Sequence, residues 1–134
     1  MRDGLTRRIE QPESKDGFAE FTNRWRAAIV ILSGDAAGTE HDLQQPHITL
    51  GRGPDTDLTF DDEAMSREHA ALEFTGTGFR IRDLGSMNGM LLNGGQARVG
   101  DLKNGDRFQL GEHVFQYLLE RCTRPAKAYV LPDG

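Results

Sequence analysis

Three short segments carry side chains whose types and spacing suit them to chemistry. Gly51-Arg52-Gly53 closes one alternating apolar run, Ser66-Arg67-Glu68-His69 precedes a second, and Asp83-Leu84-Gly85-Ser86-Met87-Asn88-Gly89 follows a third. A guanidinium presents a planar fork of donors that matches phosphate or carboxylate oxygens. A serine hydroxyl and a carboxamide add neutral donors and acceptors. That set suits a non-covalent grip on an anion better than bond-breaking. Each residue also has an ordinary reading. Arg52 by itself fits a surface ion pair, Arg67 a solvated face, and Ser66 a cap or turn. His69 fits a satisfied core histidine, and Asn88-Gly89 a tight turn.

Enzyme chemistry finds little support. Four scattered histidines and the single Cys122 give no metal-ligand spacing. Ser66 and His69 have no orienting carboxylate or oxyanion motif around them. Gly51-Arg52-Gly53-Pro54 lacks the Gly-Lys-Ser/Thr ending of a phosphate-binding nucleotide loop. No catalytic residue, metal or cofactor is therefore expected. The 134 residues carry a formal charge of -5, against the basic balance of a nucleic-acid binder. Residues 26–121 alone hold nine basic and fifteen acidic groups, so an anion there needs a local cluster of donors. No apolar stretch approaches the roughly 18 residues of a membrane span. The first residues lack an apolar signal core and one cysteine implies no disulfide, so a cytoplasmic location is expected.

The elements that must position these segments read as strands. Ala27-Ala28-Ile29-Val30-Ile31-Leu32 is a continuous apolar run ended by Ser33-Gly34-Asp35. Ile48 and Leu50, Leu58 and Phe60, Ala70, Leu72 and Phe74, and Phe79 and Ile81 alternate with polar neighbours. Gly76-Thr77-Gly78, Asn93-Gly94-Gly95 and Asn104-Gly105-Asp106 mark turns, and Val114–Leu119 closes the series. About nine to eleven short strands near ten-residue spacing point to an all-β, antiparallel sandwich. Asp61–Ala70 has helical propensity but runs into the period-two alternation of Ala70, Leu72 and Phe74, so it is read as a loop. The acidic residues Asp55, Asp57, Asp61, Asp62 and Glu63 are read as solvated loop. Residues 1–25 are expected to be a flexible arm, with a short helix over 16–25 from Phe18, Phe21 and Trp25 at i, i+3 and i+7. A domain over 26–121 and a tail over 122–134 complete the organisation.

In order and spacing, the Gly-Arg pair, the Ser-x-x-His segment, the Leu-Gly-Ser-x-Asn-Gly segment, Asn93-Gly94 and Gly105-Asp106 resemble the forkhead-associated (FHA) domain. The resemblance covers about Ala27 to Glu120 and implies a SMAD/FHA-like sandwich of about eleven strands, with ligand loops at one end. It also implies a reader of threonine-phosphorylated proteins downstream of a Ser/Thr kinase, with no nucleic acid or membrane as partner. A phosphothreonine brings about -1.5 to -2 charge and three strong acceptor oxygens. The resemblance assigns its phosphate to Arg52 and Ser66, with Arg67 as a second basic contact, and the peptide main chain to Asn88. Gly51, His69 and Gly89 become supports of the site. One departure stands at Met87, where members commonly have a threonine whose hydroxyl helps hold the phosphate; Met90 replaces another frequent threonine. This keeps open an assembly module with the same fold and no need of phosphate. Thr6 is followed three residues later by Ile9, an offset members often read, so a phosphorylated arm docking in its own or a neighbouring copy's site is a further expectation.

Overall fold

The computed structural model of the protein describes residues 10–122, with side chains from Gly17 onward. Thr6 and the tail from residue 123 lie outside the described residues. A helix, α1 (Glu10–Arg24), leads into eleven strands: β1 (Trp25–Ile31), β2 (Glu40–Asp42), β3 (His47–Gly51), β4 (Leu58–Thr59), β5 (Ala70–Phe74), β6 (Phe79–Asp83), β7 (Met90–Leu92), β8 (Gly95–Gln96), β9 (Val99–Asp101), β10 (Arg107–Leu110) and β11 (His113–Arg121). They form a six-stranded sheet ordered β2-β1-β11-β10-β7-β8 and a five-stranded sheet ordered β4-β3-β5-β6-β9. Side chains that alternate along each strand fill the space between the sheets. Ile29, Leu50, Leu72, Ile81, Phe108, Leu110 and Phe115 are fully buried. None of the described helices is long and apolar enough to cross a membrane.

Two features depart from the expected elements. The helix starts at Glu10, six residues before the expected Asp16, and Trp25 already belongs to β1. Glu10, Gln11, Glu13 and Lys15 are good helix formers, and Pro12 lies in the first turn, where its missing N–H needs no partner. Phe18 and Phe21, one turn apart, bury against Phe74 and Phe79 with ring centroids 5.0–6.2 Å apart. Trp25 pairs with Arg121 across the sheet, and that guanidinium sits 5.4 Å from its ring centre. The second departure is that β3 and β4 run parallel, Leu50 opposite Leu58, in a sandwich otherwise antiparallel. The loop between them folds back along β3. The Asp57 carboxylate accepts from the Thr49 N–H at 2.9 Å, and the Thr49 hydroxyl accepts from the Asp57 N–H at 2.9 Å.

Tyr117 is fully buried, and its hydroxyl has no hydrogen-bond partner among the described residues. Burial pushes its phenol up to about 12. A buried hydroxyl without a partner is destabilising. Tyr117→Phe keeps the ring and is expected to leave unfolding free energy unchanged or raise it by about 1 kcal/mol in urea titration.

The register brings the candidate segments to one end of the five-stranded sheet. Leu50 lies opposite Ala70, Ala70 opposite Asp83, and Arg82 opposite Val99. The chain therefore leaves β3 at Gly51, enters β5 after His69, leaves β6 after Asp83 and enters β9 after Arg98 along a single edge.

Candidate functional site

The site is built around residues 64–67, which run between the end of β3 and the β6–β7 loop. On one side the Arg52 N–H donates to the Ser66 carbonyl and the Gly53 N–H to the Arg67 carbonyl, both at 3.0 Å. The His69 N–H donates to the Leu50 carbonyl at 2.8 Å. This approach has no room for a side chain at residue 51, because a Cβ there would overlap the Arg67 carbonyl oxygen. The Arg52 Nε donates to the Met65 carbonyl at 3.1 Å. Its two terminal nitrogens have no partner among the described residues, and no described carboxylate lies within ion-pair distance. The guanidinium is thus held by one nitrogen and presents the other two at an exposed position.

On the other side, His69 joins two loops. It is fully buried. Its Nδ1 accepts from the Ser66 N–H at 3.0 Å and its Nε2 donates to the Gly89 carbonyl at 2.7 Å. Those partners assign the ring proton to Nε2. The Ser66 hydroxyl oxygen accepts from the Met87 N–H at 3.0 Å, which leaves its own proton free to be donated outward. Asn88 Nδ2 donates to the Ala64 carbonyl at 2.8 Å, and Oδ1 has no partner among the described residues. Arg52 and Asn88 therefore both bind the four-residue segment 64–67 that carries Ser66. Gly89 takes a left-handed φ of 77° directly after Asn88, a conformation that favours glycine.

Arg67 sits apart from this junction. Its side chain is exposed and lines a separate recess with Gly53, Asp55 and Glu68. Met87 is 89% exposed, so its thioether lies open where a hydroxyl was expected by resemblance.

Sequence reasoning missed three positioning residues. The Asp83 carboxylate accepts from the Ser86 hydroxyl at 2.5 Å and from the Gly85 and Ser86 N–H groups at 3.2 Å. The Ser86 hydroxyl in turn accepts from the Gly89 N–H at 2.9 Å. This shapes the loop that carries Asn88. Its signal is present as an Asp followed two and three residues later by Gly and Ser, a side-chain-closed turn. The third residue is Asp62, read above as solvated but only 6% exposed. It accepts from the Ala64 N–H at 2.9 Å, the Glu112 N–H at 2.8 Å and His113 Nδ1 at 2.7 Å, tying the Ser66 loop to the β10–β11 turn. Burial alone raises its carboxyl, but His113 and the two backbone donors outweigh that and hold it below the ordinary value of 3.8. A folded value below the unfolded one means stability present above about pH 4 and lost as pH falls through the folded value. In denaturation at pH 7, Asp62→Asn is expected to be about 2 kcal/mol less stable than the parent. Its stability should also fall less steeply as pH drops below about 4.

Comparison with known proteins agrees with this architecture. A family model described as the inner membrane component of T3SS, cytoplasmic domain, matches residues 30–120. The glycogen accumulation regulator GarA of Mycolicibacterium smegmatis is 37% identical over 92 residues, 69% of this chain and 58% of that protein. An oxoglutarate dehydrogenase inhibitor of Corynebacterium jeikeium is 35% identical over 107 residues, 80% of this chain and 72% of that protein. The chain thus spans about three fifths of the first relative's length. A solved structure from work on phosphothreonine-dependent FHA domain interactions superposes with a TM-score of 0.63. It is 25% identical and covers 69% of this chain and 95% of that one. With the two-sheet topology, the loop end built on Gly51-Arg52 and Ser66-x-x-His69, and these matches, the chain belongs to the forkhead-associated (FHA) domain family.

Proposed function

We propose that the protein reads phosphothreonine in a partner protein and has no catalytic role of its own. The observation that carries this reading is the state of Arg52, whose Nε is anchored while its terminal nitrogens face no carboxylate among the described residues. Those nitrogens make a charge-assisted fork to the phosphate. The Ser66 hydroxyl donates a further hydrogen bond from the adjacent loop. Asn88 Oδ1 accepts from the peptide main chain, and Arg67 adds positive charge from the flank. Gly51, His69 and Gly89 hold the loops that carry these groups in place. The grip uses side chains alone and needs no metal or cofactor.

A Ser/Thr kinase supplies the modified partner, and a cytoplasmic location suits that supply. The regulator and inhibitor roles named for the relatives support a regulatory task. Thr6, once phosphorylated, is one candidate ligand, from the same or a second copy. A phosphate-independent reading draws on Met87, which places a thioether beside the site and supplies no hydroxyl there.

Calorimetric titration with matched phosphothreonine and plain threonine peptides separates the two readings. A few charged hydrogen bonds, less the ordering of the peptide, correspond to about micromolar affinity for the phosphorylated form. Affinity should weaken below about pH 6 as the phosphate takes up its second proton. Equal affinity for both peptides would support the phosphate-independent module.

A further inference from the structure

The six-stranded sheet carries apolar side chains on both of its faces. Ala27–Leu32 is apolar throughout, the pattern of a strand buried on two sides. Ala27, Ile29 and Ile31 point into the core, so Ala28, Val30 and Leu32 point outward. Val114 and Leu118 share that outer face, since Phe115 and Tyr117 are the inward members of β11. Leu32 is 36% exposed, and Val30, Val114 and Leu118 are half-buried. The one described helix packs elsewhere, through Phe18 and Phe21 on Phe74 and Phe79.

Strand register sets the charges around this apolar centre in rows. One row runs Arg107, Gln116, Val30, Glu40 across β10, β11, β1 and β2. Beside it runs the row Leu118, Ala28, Asp42, and beyond that Glu120 and Arg26. On the other side, the Leu32 N–H donates to the Val114 carbonyl at 2.7 Å. Arg26 bonds Glu40 and Asp42 and lies 3.7 Å from Glu120, which places all four on the outer face. His41, between the two acids of β2, turns inward to Phe60. At the opposite border Arg107 is exposed and has no carboxylate within ion-pair distance among the described residues. The adjacent Asp106 accepts from the Lys103 N–H and the Asn93 amide. One border of the face is thus basic, and the other holds three acids against one base.

A two-fold axis laid along the strands, between β1 and β11, makes these rows match a second copy of themselves. It sets Arg107 against the second copy's Glu40 and Glu120 against the second copy's Arg26. Val114 meets Leu32, and the large Leu118 meets the small Ala28. Each contact occurs twice, as an isologous interface requires. An axis across the strands would set acidic border on acidic border and Arg107 near Arg107. We propose that the outer face of the six-stranded sheet pairs two copies of this chain about the axis along the strands, with both loop ends pointing the same way. Four strands about 4.8 Å apart and seven residues of about 3.3 Å give a face of roughly 440 Å² on each copy. That is the low end for a specific interface, so the dimer is transient and depends on concentration.

Sedimentation equilibrium of the full chain from about 5 µM to about 500 µM tests this pairing. The average mass should climb from that of one chain toward that of two. Arg107→Glu opposes two acids at both contacts, and Glu40→Arg opposes two bases. Each variant alone should associate at least about ten-fold more weakly than the parent. Both positions are exposed, and Arg26 keeps Asp42 when Glu40 is changed, so thermal melts should stay near the parent midpoint. Mixed in equal parts, the two variants meet with opposite charges at both contacts, and the mixture should associate as tightly as the parent. A parent that keeps the mass of one chain throughout overturns the proposal and leaves the face to a different protein. A dimer that persists unchanged in Arg107→Glu, or a mixture that associates no better than its components, also overturns it, because the copies then meet through another surface.

Discussion

Arg52→Ala should weaken binding of a phosphothreonine peptide by about 100-fold or more and leave the fold standing. Two charge-assisted hydrogen bonds contribute about 1.5–3 kcal/mol each, and losing both removes most of a micromolar affinity. The fold should lose only the bond from Nε to the Met65 carbonyl, worth about 1 kcal/mol. Arg52→Lys keeps the charge but cannot hold that carbonyl and offer a fork at once, so it should recover only a small part of the affinity. Calorimetry with the phosphopeptide, beside a thermal melt of each variant, checks both halves. A loss below three-fold would place the phosphate elsewhere.

Gly51→Ala should be the most destabilising single-methyl change at the site. The added Cβ would overlap the Arg67 carbonyl oxygen, a backbone atom already fixed by the Gly53 N–H. No rotamer change relieves such a clash. Relief requires the end of β3 to part from the 64–67 segment, which also stretches the bond from the Arg52 N–H to the Ser66 carbonyl. Overpacking together with lost hydrogen bonds amounts to about 3 kcal/mol. For a domain of this size the midpoint should fall by more than about 10 °C in a thermal melt. Peptide binding should fall with it even below that midpoint, because the change moves Arg52 relative to Ser66. A melt within two degrees of the parent would contradict the close approach.

Residues alternating with period two announced the strands, since each strand keeps one face in the core. Ile48 and Leu50, or Phe79 and Ile81, could hardly be read otherwise. Asn93-Gly94 announced its hairpin because both residues take positive φ, 51° and 87°. Other elements left no such mark. β2 is three polar residues, Glu40-His41-Asp42, held by pairing with β1 and by Arg26, whose guanidinium bonds both carboxylates. The early part of α1 lacks apolar periodicity, so propensity alone could have found it.

At the site, Arg52, Ser66 and Asn88 were legible as donors, and His69 as a core residue. Less visible was how their contacts divide. Asn88 turns its amide nitrogen inward to Ala64 and leaves only its oxygen unpartnered. Arg67 contributes its backbone to the junction and keeps its side chain on the flank. Asp62 was hidden among neighbouring acids, because only the fold brings Glu112 and His113 to it across fifty residues. Burial of a carboxylate is decided by such distant partners, and local composition carries no trace of them.

The central claim is that one loop junction, with Arg52, Ser66 and Asn88 around residues 64–67, grips a phosphate on threonine. Nitrogen-15 amide spectra recorded while adding a phosphothreonine peptide, then its plain counterpart, test it most directly. The expected footprint is confined to Arg52, Ser66, Met87, Asn88 and their neighbours, with saturation near micromolar peptide and no response to the plain form. Shifts of equal size from both peptides, or a footprint centred away from that junction, would contradict it.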